Sequence, residues 1–135
     1  MSGITLLVDD PAWRTMRGFR ARLERAAETA LKAAGFKGKS ALTVLLSSDE
    51  KLRQLNRDFR GKNKPTNVLS FPANTNGDGY RGDIAIAYGV TKREAEAAGK
   101  RFSDHASHLV VHGVLHLAGH DHETSNDAEI MERLG

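Results

Sequence analysis

Ala41-Leu-Thr-Val-Leu-Leu-Ser47 is a near-continuous apolar run containing Thr and Val, and it reads as a buried strand. Working outward from it sets the fold. On its C-terminal side, Ser48 or Asp49 can cap a helix running to about Phe59, because a side-chain oxygen there accepts a backbone N–H that the first helical turn leaves unsatisfied. Residues Gly61 to Asn67 form a polar loop holding Pro65, and Val68 to Phe71 a short strand stopped by Pro72. Asn74 to Gly79 (NTNGDG) is a turn-rich loop, and Asp83 to Ala87 (DIAIA) is another strand. On the N-terminal side, Ile4 to Val8 reads as a first strand. Arg17 to Ala34 reads as a helix, with Phe19, Leu23, Ala26, Ala27, Ala30 and Leu31 on one face and Gly35 just past its end.

Three more helices follow. Thr91 to Gly99 has Thr91 as its cap and Glu94 in the capping-box position. A longer helix begins at Ser103, continues through about Ala118 and is ended by Gly119. Ser125 or Asn126 caps a last helix to Leu134. The order β-α-β-α-β-β-α-α-α predicts one α+β domain over residues 1–135: a small mixed four-stranded sheet packed with about five helices. No repeat or low-complexity stretch interrupts it.

Cysteine is absent, which excludes disulfides, thiolate metal sites and a cysteine nucleophile. The apolar run at Ile4 to Val8 has no basic stretch before it and is ended by Asp9, Asp10 and Pro11. It is too short for a signal peptide or a membrane span, so a cytoplasmic protein is expected. The net charge of +3 says less than its distribution. Between Lys51 and Lys64 stand Lys51, Arg53, Arg57, Arg60, Lys62 and Lys64 against the single acid Asp58, a block suited either to a solvated helix face and loop or to a phosphate-bearing partner. The stretch from Asp121 to Glu132 carries five acids and no Lys or Arg.

The most informative segment is His112-Gly-Val-Leu-His-Leu-Ala-Gly-His-Asp-His122. On a helix, His112 and His116 lie one turn apart on one face, so both imidazoles reach one ion. A third ligand requires the chain to turn back. Gly119 permits a left-handed turn at the helix end, and His122 follows three residues later. Three neutral imidazoles with an open fourth position is a catalytic zinc arrangement, and the metal site is therefore expected at a helix end. His120 and Asp121 compete with His122 for the third place, and Asp121 could instead orient an imidazole. Nickel or cobalt also suit imidazole ligands. The spacing is that of metzincin peptidases, but their Glu base is replaced by Gly113. Farther back, His108 shares a helix face with His112 and reads as a partly buried histidine rather than a ligand. His105 reads as solvated.

A second segment, Leu55 to Pro72, runs from helix through basic loop to strand. Arg60 can grip a phosphate with two parallel hydrogen bonds, or can cap its own helix. Lys62 and Lys64 supply less directional attraction, and Ser70 can contribute a hydrogen bond from the strand.

Together the two segments resemble the YbeY family of ribosomal RNA maturation endoribonucleases. The family's signature H-G-x-L-H-L-x-G-x-D-H is complete from His112 to His122. The segment Leu55 to Pro72 fits the pattern L-N-x-x-[YF]-R-x-x-[DN]-x-P-T-D-V-L-S-F-P, and Gly82 to Ile86 fits its G-D-I-x-I strand. The likeness covers roughly residues 40 to 134. It departs at Asn67, where the pattern has Asp, and at His120, where Tyr is common. The resemblance implies one zinc held by His112, His116 and His122. It implies single-strand-specific RNA cleavage in 16S rRNA 3′-end maturation and ribosome quality control, with RNA and the small ribosomal subunit as partners. It also places the family's conserved arginine at Arg60.

On this reading Arg60 and His116 carry catalysis, and Arg60, Lys62, Lys64 and Ser70 bind the substrate. The metal would acidify water and polarise a phosphoryl oxygen, while Arg60 would hold the scissile phosphate. Two other functions fit parts of the pattern: a metallopeptidase, and a non-catalytic, zinc-stabilised ribosome-binding module.

Overall fold

The computed structural model describes residues 3–36, 38–73 and 79–119. The run that anchored the sequence reading is strand β2 (Ala41–Ser47), with bounds as expected. It lies inside a four-stranded sheet whose other members are β1 (Ile4–Val8), β3 (Val68–Pro72) and β4 (Tyr80–Ala87). The spatial order is β1-β2-β4-β3. Parallel ladders join β1 to β2 and β2 to β4, and an antiparallel ladder joins β4 to the edge strand β3. The sheet is therefore mixed, as the sequence predicts.

Helices α1 (Phe19–Ala33), α2 (Asp49–Arg60), α3 (Tyr88–Ala97) and α4 (Phe102–Leu117) complete the described domain. The expected last helix, 125–134, lies outside the described residues, as does most of the loop after β3. No helix among the described residues is long and apolar enough to cross a membrane.

Side-chain alternation along the strands explains the layering. Leu42, Val44, Leu46, Ile84 and Ile86 point to one face, where Leu23 and Ala27 of α1 and Val110 and Val114 of α4 cover them. The opposite face offers Leu69, Ala85 and Ala87, which pack under Leu52 of α2. The sheet is thus sandwiched, with α1 and α4 on one side and α2 on the other.

Three local expectations change. Helix α1 begins at Phe19 rather than Arg17, because the preceding chain forms a 3-10 turn, Pro11–Thr15, that buries Trp13 completely. Asp10 caps that turn by accepting from the Ala12 N–H at 3.0 Å. The Trp13 indole N–H donates to the Ser47 carbonyl at 2.9 Å, which ties the turn to the end of β2. Strand β4 starts at Tyr80, three residues earlier than expected, because pairing with β2 continues past an irregularity at Ala41/Leu42. Helix α3 starts at Tyr88, so Thr91 lies one turn inside it rather than at the cap. Its buried hydroxyl donates to the Ala87 carbonyl at 2.6 Å, and this leaves Glu94 available for longer-range partners.

Candidate active site

Helix α4 carries His105, His108, His112 and His116 at a spacing of i, i+3, i+7 and i+11, which is one stripe of a helix. The neighbouring stripe, containing Ala106, Leu109, Val110, Gly113, Val114 and Leu117, is buried against the sheet and α1. The fold thus turns the apolar stripe inward and leaves the histidine stripe partly buried at its border. The expected pair His112 and His116 lies one turn apart, and the His112 Nε2 is shielded from solvent.

Gly113 explains how closely α4 approaches the sheet. A Cβ there would lie 2.7 Å from Cγ2 and 3.0 Å from Cδ1 of Ile84, a side chain wholly buried in β4. The helix is also stapled to the edge strand, because the Ser70 hydroxyl of β3 donates to the Gly113 carbonyl at 3.1 Å. Ser70, expected to meet substrate, therefore has its donor committed to holding α4. Helix α4 ends at Leu117, one residue before the expected point. Gly119 then takes a positive φ of 93°, with its N–H on the His116 carbonyl at 3.0 Å. His122, and its competitors His120 and Asp121, lie outside the described residues.

The expectation of a solvated His105 is corrected. Its side chain is 13% exposed, and its Nε2 is 2.9 Å from Oε1 of Glu94 on α3. The Asn67 amide donates to the same carboxylate, at 3.0 Å to Oε1 and 3.3 Å to Oε2. The rings then follow one another. His105 and His108 stand 6.0 Å apart at 17°, and His108 and His112 stand 4.2 Å apart at 42°. Burial pushes the His108 pKa down to about 4, and repulsion from His112, Lys100 and His105 adds to the shift. His108 is therefore a neutral ring at neutral pH, in line with its reading as a partly buried histidine.

The basic flank sits on the other side of β3. Ser70 faces α4, whereas its neighbour Phe71 faces α2 and meets Phe59 edge-on with ring centroids 5.2 Å apart. Arg60 is the next residue and the last of α2, exposed at the helix end. The helix is capped by the backbone rather than by Arg60. Gly61 adopts φ 71°, its N–H reaches the Arg57 carbonyl at 3.1 Å, and the Lys62 N–H reaches the Asn56 carbonyl at 3.2 Å. Lys62 and Lys64 follow, both exposed. Sequence reasoning missed what holds this turn. Asn56, 3% exposed, donates from its amide to the Lys64 carbonyl at 2.9 Å, and Arg53, paired with Glu50, also bonds Asn63. A buried Asn on an otherwise amphipathic helix was the available signal for Asn56.

The structure thus sets His112 and His116 one turn apart on α4, with Ser70 of β3 bonded to the Gly113 carbonyl between them in the chain. Arg60, Lys62 and Lys64 stand on the turn that leads into the far face of the same edge strand.

The architecture is a small α+β domain with a histidine-bearing helix packed on the edge of a mixed sheet. The chain is similar in fold to the solution structure of TM1509 from Thermotoga maritima, with a TM-score of 0.60 and 26% identity, covering 96% of this chain and 85% of that one. Residues 10–135 match the family described as Endoribonuclease YbeY. Of the relatives bearing that name, one from Maricaulis maris is 42% identical over 134 residues, covering 99% of this chain and 84% of the relative. Another, from Rhodopseudomonas palustris, is 48% identical over 134 residues, covering 94% and 70%. The chain belongs to the endoribonuclease YbeY family.

Proposed function

We propose that the chain is a zinc-dependent endoribonuclease that cuts single-stranded RNA at the C-terminal end of α4. Its target is the 3′ end of small-subunit rRNA, its partner the small ribosomal subunit, and its compartment the cytoplasm. It also serves ribosome quality control. Family membership makes the chain an endoribonuclease, a hydrolase of RNA. The metal, the residue roles and the rRNA target go beyond that.

The observation that carries the metal is the pairing of His112 and His116 one turn apart on one partly buried stripe of α4, with Gly119 at a positive φ just past the helix end. This donor set fits a borderline ion such as zinc, with nickel and cobalt as alternatives and His122 as the third ligand. A bound metal supplies Lewis acidity and a lowered pKa for water, toward about 7. The protein's own groups do the rest. The Arg60 guanidinium grips the scissile phosphate and stabilises the charge that grows on it. Lys62 and Lys64 draw the RNA backbone to the turn without reading its sequence. Ser70 holds α4 against the edge strand and so keeps the histidine stripe in place.

The peptidase alternative lacks support. In metzincins the residue after the first histidine is the general base, whereas here position 113 faces Ile84 in the core and has no room for a side chain.

The test is to measure zinc content and cleavage of a single-stranded rRNA fragment on wild type and His116→Ala. About one zinc per chain with metal-dependent cleavage, both lost in the variant, is the expected result. Bound zinc without RNA cleavage would leave a ribosome-binding role, and absence of bound metal would remove the metal reading.

A further inference from the structure

A metal-binding imidazole works only if its lone pair points at the ion, within roughly 10–20°. The helix backbone fixes where the Cβ of His112 sits but leaves two side-chain torsions to be settled by neighbours. Its ring is met by the His108 ring at 4.2 Å, and His108 in turn by His105 at 6.0 Å and nearly parallel. His105 is pinned from another helix by Glu94, at 2.9 Å. The Glu94 carboxylate receives the Asn67 amide on both oxygens. Asn67 is itself fixed where β3 meets β4: its side-chain oxygen accepts from the Val68 N–H at 2.7 Å, and its carbonyl accepts from the Ala87 N–H at 2.9 Å. A continuous brace therefore runs from the end of the sheet, through α3, along the histidine stripe to His112.

We propose that Glu94 is a positioning residue for the metal site, acting through the rings of His105 and His108 to set the orientation of His112 and thereby the affinity for zinc. Metal-bound histidines depend on the groups behind them, and Glu94 fills that place at two removes. The proposal rests on His112 being a ligand.

The experiment is zinc affinity by competition with a chromophoric chelator, for wild type, Glu94→Ala, Glu94→Gln and the exposed neighbour Glu96→Ala. Thermal unfolding and the His112 ring NMR signals of the metal-free proteins are recorded in parallel. Glu94→Ala should bind zinc about tenfold more weakly, the low end for a group behind a ligand, and should shift the His112 ring signals before any metal is added. Glu94→Gln keeps an oxygen for His105 and should stay within about threefold of wild type. Glu96→Ala should match wild type. Should Glu94→Ala fail to fold, His105→Phe replaces it: the ring stays, the bond to Glu94 is cut, and the same loss is expected. Wild-type affinity and unmoved ring signals in Glu94→Ala, or in His105→Phe where it stands in, overturn the proposal alone. A wild type that binds no zinc overturns the metal reading and this proposal with it.

Discussion

Along α4 the histidine rings are packed against one another, backed by Glu94 and Asn67, and the helix beneath them is set against Ile84 with no space for an added carbon. At the end of α2, one strand away, Arg60, Lys62 and Lys64 stand exposed, and the backbone turn beneath them is what is held, by Asn56 and Arg53. The two regions have different tolerances. A group that must aim a lone pair needs its torsions fixed, whereas a cation that meets a phosphate along a moving strand needs only to be present and reachable. Substitutions should therefore act through geometry in α4 and through charge at the turn.

The largest effect is expected from His116→Ala, which should abolish zinc retention and lower cleavage by about a thousandfold or more, the worth of several kcal/mol of transition-state stabilisation. Zinc analysis beside single-turnover cleavage checks it. Arg60→Glu should lower cleavage by about a hundredfold to a thousandfold while zinc content stays at the wild-type level. Retained cleavage would take Arg60 out of the mechanism and leave the turn a docking surface only.

Gly113→Ala sharpens the comparison from the packed side. Overpacking against Ile84 should cost about 1–3 kcal/mol in denaturant unfolding, whereas alanine at exposed Lys62 should cost almost nothing. Lys62→Ala and Lys64→Ala should instead weaken RNA binding irrespective of sequence, each lowering the salt dependence of the binding constant by about 0.7 in log–log slope.

The remaining effect, on pH dependence, concerns His108. The unfolded chain binds its proton near 6.5 and the folded chain only near 4, so the folded state is favoured by the neutral ring above that window. Stability of the metal-free protein should fall as pH drops from 6.5 toward 4, and His108→Gln should flatten that part of the curve.

What was legible in the sequence follows the range of the interactions. Strands β1 and β2 were readable because alternation and apolar runs are local, and the histidine pair and the helix end before Gly119 because helical spacing and a helix-ending glycine are local too. The Trp13 turn was not readable. Its anchor is the carbonyl of Ser47, 34 residues away, and five residues of 3-10 helix leave no period. His105 looked solvated because nothing near it in the chain announces Glu94, 11 residues back, or Asn67, 27 residues behind Glu94. Strand order was likewise set by pairings that no single segment contains.

Gly113 has a consequence for how such a protein can change over generations. Two of the four glycine codons become a glutamate codon by one base substitution and the other two by two, and that change would write the metzincin sequence into this helix. The genetic distance to that motif is therefore one or two bases. The barrier lies in the packing: Ile84 fills the space, so the step is blocked until β4 has first given way. Neighbouring sequences can thus belong to reaction types that descent by single steps does not connect.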